Sequence, residues 1–387
     1  MSTGGLVAVI MVPFFGVIQC LAPAITRPTV PFGVRVPPER VGAPVIRHER
    51  RAYYARTAAI GACCIVVAVL LRDRGSWWLG RIILLAEIAA DLSCYVIARH
   101  RIAAVKHAED WYAGHRQVVA TDTSWRTDPP RFPVRWLMPA LAVIAVTVII
   151  GAVRYPDLPA RLTAGLGRHQ VPKSPVSVFA VTVGQLYVTV LWTGLLLIVY
   201  RSRPDVEAAD LAASTRRYRR YLAALTRAVL TLLALVNLTL LLETLGKWQV
   251  YRLSGIGLVL PLLPFAAGLL ILFAVAARTG QAGSRLPPGP GRPGPRRPSP
   301  GRPSPGRPSP GRPSPGDHGP AGIDRDDDRF WKAGLIYVNR DDPAIMVGAR
   351  FGVGWTFNLA NPMAWLVIGG IVAAPAGLAA IAAAAGL

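Results

Sequence analysis

Eight apolar runs, each roughly 20 residues long, leave this chain few folds. They fall at about 4–26, 53–71, 77–98, 136–153, 176–200, 221–243, 254–277 and 362–386. A helix of about 20 apolar residues matches the ~30 Å hydrocarbon core of a bilayer. None of the runs alternates as a membrane β-barrel strand would. Only 17% of residues are charged and mean hydropathy is +0.38, well short of the charged quarter usual in soluble domains. The expected class is an all-α polytopic membrane protein with eight transmembrane helices.

The net charge of +22 would suggest nucleic acid in a soluble protein. Here the basic residues sit between apolar runs, so the bilayer is the expected partner and nucleic acid is not. The loops 27–52, 99–135, 201–220 and 278–360 carry 32 Lys and Arg; the loops 72–76, 154–175 and 244–253 carry 8. The positive-inside rule places the first set in the cytoplasm and both termini outside, at the plasma membrane. Ala22-Pro23-Ala24 has the small-x-small look of a cleavage site, but residues 1–5 carry no Lys or Arg. An uncleaved first helix is therefore expected. The four cysteines, Cys20, Cys63, Cys64 and Cys94, lie inside runs and lack metal spacing, so they read as packing residues.

The chain divides into 1–98, the first three helices with a basic loop; 99–135, an amphipathic cytoplasmic loop; and 136–278, four helices with the outside loop 154–175. Residues 279–323 form a disordered Pro-rich linker, and 324–387 carry a C-terminal motif and the last helix. In the linker RPSPG repeats four times, and that much proline favours polyproline II and builds no core. Five prolines keep the start of the first loop extended, and Pro44 can open a helix running into the second span. That loop is either a positively charged tether or a docking surface. His100, His107 and His115 share a broad face but are too widely spaced for a metal site. The acidic run 324–329 reads as solvated.

Glu87 falls near the middle of the third run, with Asp91 one helical turn on. Charge at that depth costs roughly 3 kcal/mol on insertion scales, so these groups should face the bundle, be neutral or be paired. Arg227 in the sixth run lies at a similar depth, on the order of 10 Å, and is the expected partner of Asp91. The polar site Glu87, Asp91 and Arg227 reads as a register-fixing pair or as a proton or cation route. Gln185 and Asn237 should hydrogen-bond between helices. Pro261 and Pro264 should kink the seventh span. Residues 330–355, FWKAGLIYVN, RDDP and AIMVGARFGVGW, read as strand, turn, strand. Asn361-Pro362 starts the last helix, where Gly370/Ala374 and Ala373/Gly377 would permit close helix contact.

The segment 330–365 resembles the bacterial module catalogued as domain of unknown function 5808. The resemblance is carried by Trp331, Tyr337, Asp342, Pro343, Arg350, Gly352, Gly354, Trp355 and Asn358, which read together as a docking motif. The segments 31–53 and 155–179 resemble membrane proteins of the domain-of-unknown-function 1648 type, similar to the immunity protein of the sporulation-delaying toxin system. Arg161 stands where that family usually has His, and Lys173-Ser174 replaces Ser-Lys. These resemblances imply a bacterial plasma-membrane protein with an immunity or signalling role. They supply no catalytic residues and no cofactor. No GxSxG, HExxH, Walker or CxxC motif is present, so a non-enzymatic sensor or scaffold is expected. Its partner would be a cytoplasmic protein or an extracellular peptide. The alternative is a small-solute or proton-coupled transporter using Glu87 and Asp91.

Overall fold

The computed structural model of the protein describes residues 3–71, 77–112, 119–120, 128–164, 169–202, 206–207, 211–251, 256–287, 325 and 327–384. The RPSPG repeats, His115, Asp324 and Asp326 lie outside them. Helices cover every apolar run: α1 (Thr3–Ile25), α2 (Pro44–Leu70), α3 (Trp77–Ala108), α4 (Met138–Arg154), α5 (Pro175–Arg201), α6 (Leu211–Lys247), α7 (Ile256–Val259), α8 (Leu262–Thr279) and α9 (Pro362–Ala384).

Five stretches are long and apolar enough to cross a membrane: Pro44–Leu70, Val134–Arg154, Pro175–Arg201, Ala213–Lys247 and Leu262–Gly283. The expected eight are not reached on these grounds. α3 sets Arg81, Glu87 and Asp91 along one apolar stretch, and the apolar lengths counted for α1 and α9 are Val12–Ile25 and Pro362–Ala373. The outward faces are nonetheless oily. Leu70, Leu85, Val190, Leu270 and Leu366 are each at least 64% exposed, a surface that water would not tolerate and lipid would.

Helix boundaries follow local chemistry. Pro44 and Pro175 open α2 and α5, where a missing N–H costs nothing. Ser174 caps α5 in a reciprocal capping box with Ser177. Gly280, at φ 64°, ends α8. The seventh run is broken rather than only kinked: α7 stops before Pro261 and α8 begins after it.

The helices form two groups. α1, α2 and α3 pack on one another, while α6 is the centre of a second group with α4, α5 and α8. Gln185 donates to Thr147 (3.1 Å) and to the Asn237 carbonyl (2.9 Å), and Asn237 donates to Thr189 (3.0 Å). This ladder ties α4, α5 and α6, each rung contributing about 0.6 kcal/mol. Across the seam, Phe14 of α1 meets Phe273 of α8 with ring centres 6.4 Å apart.

At one end of the bundle, the outside loop of the sequence reading forms an antiparallel hairpin, β2 (Arg161–Ala164) with β3 (His169–Pro172), where Pro and Gly had suggested irregular chain. The short strands β1 (Val119–Ala120) and β4 (Val206–Glu207) pair elsewhere. Leu158, Leu162, Val171 and Trp248 pack beneath the β2–β3 hairpin. The Lys173 ammonium donates to the carbonyls of Tyr155 (3.1 Å), Pro156 (3.3 Å) and Leu158 (3.0 Å), closing the turn. Lys173→Met should cost about 1.5–3 kcal/mol, the usual value of hydrogen bonds to a charged group. Faster amide exchange at Val171 would report it.

At the opposite end the first loop is not an extended tether. Val30, Phe32, Val34 and Val36 are buried, and Phe32 packs on Tyr53 with ring centres 5.2 Å apart. Nor does 99–108 form a separate helix: it continues α3, with Ile102 buried and Arg101 reaching Glu49 of α2 at 2.9 Å. Residues 279–287, assigned to the linker from sequence, pack as a turn against α6, with Thr279 and Gln281 buried. The small-residue stripe of α9 makes no close helix contact at Gly370 or Gly377, where a methyl would meet nothing within 4 Å. α9 is instead held by the Tyr187 hydroxyl, which donates to the Ile371 carbonyl at 2.8 Å.

Candidate functional site

Residues 327–361 fold into two hairpins rather than one. β5 (Trp331–Lys332) pairs with β6 (Ile336–Tyr337), and β7 (Met346–Gly348) with β8 (Trp355–Phe357). The first turn is Ala333-Gly334, with φ 50° and 70°. A tight hairpin needs positive φ at both central positions, and that requirement sets glycine here. RDDP is therefore not the hairpin turn. It joins the two hairpins and delivers Asp342 to their middle.

Asp342 is 2% exposed. Arg325 forks onto it, Nε to Oδ2 at 2.6 Å and Nη2 to Oδ1 at 3.0 Å. The Tyr337 hydroxyl (3.0 Å) and the Ala344 N–H (3.0 Å) also donate to it. Asn358 is the second hub. Its amide donates to the carbonyls of Asn339 and Asp342, both at 2.9 Å, and its side-chain oxygen accepts from the N–H groups of Asn339 and Ala360. Trp331, Tyr337 and Val347 form the small apolar centre. Asn361 accepts from the Met363 N–H at 2.9 Å, capping α9 as its sequence implies.

This module is seated across both helix groups. On the first, the Tyr95 hydroxyl donates to the Ala333 carbonyl (3.1 Å), and Arg99 (2.8 Å) and Arg350 (3.3 Å) donate to the Gly33 carbonyl. The Gly352 N–H donates to Thr26 at 2.9 Å, and Phe351 packs on Tyr95 with ring centres 4.5 Å apart. On the second, the Trp355 indole donates to Tyr218 at 3.4 Å, and Gln281 donates to the Ala349 carbonyl. Asp328 joins Lys106 (2.6 Å) to Arg350, so this part of the acidic run is paired rather than solvated.

Of the nine motif residues, Trp331, Tyr337, Asp342 and Asn358 point inward and hold the module together. Pro343 is exposed and lends its carbonyl to Asn361. Gly354, at φ 116°, shapes the β7–β8 loop. Arg350, Gly352 and Trp355 make the seat contacts. Gly334 and Phe351 belong to the family-like pattern of the sequence, but the receiving residues Gly33, Tyr95 and Arg99 were missed from it. The only signal for them was glycine beside aromatic residues in loops the charge pattern put on one side.

Burial would push the Asp342 carboxyl up, but the Arg325 fork and its other donors outweigh it and hold it below the usual carboxylate value. Asp328 is likewise pushed up by burial and pulled lower by Arg350 and Lys106. A group depressed on folding contributes stability that is complete above its unfolded pKa and lost as pH falls through the folded value. The module should therefore hold at neutral pH and loosen below about pH 4. Near-ultraviolet circular dichroism of the tryptophans against pH would follow this, and tightening on acidification would contradict it.

The polar residues Glu87, Asp91 and Arg227 are not all brought together. Glu87 and Asp91 are 0% and 1% exposed within the α1–α3 group. None of their four carboxylate oxygens has a hydrogen-bond partner. A methyl added at Gly16 of α1 would stand 3.2 Å from Glu87 Oε1, and one at Gly61 of α2 3.7 Å. Arg227 sits in the other group, its guanidinium 6.0 Å from the Trp136 ring centre. The expected Asp91–Arg227 pair does not form, because equal depth does not make α3 and α6 neighbours. Among the described residues, no group of three or more His, Cys, Asp or Glu converges to hold a metal.

Residues 340–365 match a family described as a family of unknown function (DUF5808). The match covers Asp342, Arg350, Trp355 and Asn358. No curated protein and no solved structure matches the chain.

Proposed function

We propose that this chain is a non-enzymatic membrane scaffold or sensor. Its eight helices cross the plasma membrane, and the module and the basic loops beside it face the cytoplasm. Both termini then lie outside, as the charge alternation implies. One observation carries the reading: a folded module of the DUF5808 type rests on both helix groups, which touch each other sparingly at the seam. A partner gripping the module would feel the relative position of the groups. A peptide meeting the β2–β3 hairpin on the far side could bias that position. The likeness of 31–53 and 155–179 to immunity-type membrane proteins supports an envelope peptide as the outer ligand. Crosslinking in intact membranes, followed by capture of the full chain, should recover an inner-face protein that is lost with Ile336→Asp, an exposed module residue. Recovery of no module-dependent partner would sink the reading.

A second reading rests on Glu87 and Asp91. Buried carboxylates without partners are costly in a bilayer and mark proton or cation routes elsewhere. If this chain is a carrier, Glu87→Gln should abolish proton-coupled flux in proteoliposomes. Equal flux in the two proteins removes the carrier.

A further inference from the structure

Between the two helix groups lies a partly open cavity of about 480 Å³, within the ~300–1,000 Å³ typical of small-molecule sites. Its walls are Ala22 of α1, Val199 of α5, Val229 of α6 and Ala276 of α8. Its roof is Phe351 and Trp355 of the module. Ala22, Val199 and Ala276 all lie in the last turn of their helices, so the cavity sits in the membrane layer nearest the module. Among the described lining residues, Gln19 is the one polar side chain apart from the indoles.

A polar pocket adjoins it, sharing Met346, Gly354 and Trp355 as a common wall and bringing Arg27 and Gln281. Arg27 and Gln281 also line a third pocket, of about 230 Å³, with Arg217 and Ser214. Apolar space thus gives way to basic, hydroxyl-bearing space on the module's side.

We infer that this cavity holds one acyl chain of an anionic phospholipid from the leaflet on the module's side, its head group directed to Arg27 and Arg217. A water-soluble ligand has no cause to enter a space with so little to hydrogen-bond. The bilayer surrounds the walls and supplies an amphiphile with the matching order of apolar chain and negative charge. The lipid would lie under Phe351 and Trp355, the residues that seat the module, so its presence supports the module from below. The inference goes beyond the scaffold reading and does not require its protein partner.

The test uses the full chain, stripped of lipid in detergent and titrated with phosphatidylglycerol or phosphatidylcholine under native mass spectrometry. One tightly held phosphatidylglycerol is expected, bound at least tenfold more strongly than phosphatidylcholine. Ala22→Phe and Val229→Phe, which fill the cavity from opposite groups, should each weaken it at least tenfold. Should one variant fail to give a monodisperse protein, the other carries the test. Arg27→Ala should weaken phosphatidylglycerol more than phosphatidylcholine and so remove the preference between them. Wild-type binding in a folded, cavity-filled variant would overturn the site. Equal binding of the two lipids by the wild type would overturn its anionic head-group end.

Discussion

Asp342→Ala should unfold the C-terminal module while the helix bundle stays intact. The substitution removes the acceptor of the Arg325 fork, of the Tyr337 hydroxyl and of the Ala344 N–H at once. Arg325 is 8% exposed, so its charge would stay buried after losing both bonds of the Asp342 fork. Breaking a buried pair from one side costs about 3–5 kcal/mol. Two small hairpins with an apolar centre of Trp331, Tyr337 and Val347 have little reserve against that. Limited proteolysis should cut within 330–360 in the variant and not in the wild type, while helical circular dichroism changes little. Resistance equal to wild type would mean that the fork is not what holds the hairpins.

Gly33→Ala should have a different result: a folded module that no longer sits down. Gly33 has φ 71°, and a methyl there would stand 2.7 Å from the Tyr95 hydroxyl and 2.9 Å from the Gly334 carbonyl oxygen. The second obstacle is backbone, which cannot swing aside. The left-handed conformation alone costs a non-glycine residue roughly 1–2 kcal/mol. The clash comes on top, and the cheapest relief is to lift the module from the first loop. Hydrogen exchange separates the two variants. In Gly33→Ala the Gly352 amide, bonded to Thr26, should lose protection, while the Asn358 amide, bonded to Ile345 inside the module, keeps it. Loss at both amides would mean that seat and module fold as one unit.

Hydropathy and local chemistry made much of this legible. Pro44, the breaking of the seventh run at Pro261 and the Asn361-Pro362 cap are local signals, and each acts where it is written. Gln185 and Asn237 were readable because a lone amide in an apolar helix must seek another helix. What failed needed knowledge of which helices are neighbours. Asp91 and Arg227 have matching depth and opposite charge, yet belong to separate groups. The Ala333-Gly334 turn was hidden because RDDP is the stronger turn signal, and only the finished module shows that its aspartate is needed inside. Phe32 looked like loop because its neighbours are prolines. Its cover, Phe351, comes from the far end of the chain.

That last contact bears on how the protein is made. The Arg350 guanidinium reaches the Gly33 carbonyl across 317 positions of sequence. A ribosome delivers the receiving surface long before the module that covers it. Until the module is made, Phe32 and Tyr95 lack the Phe351 ring that packs on both. A nonsense codon between α8 and the module would leave that surface uncovered, so termination there should yield scarce protein rather than a smaller working one.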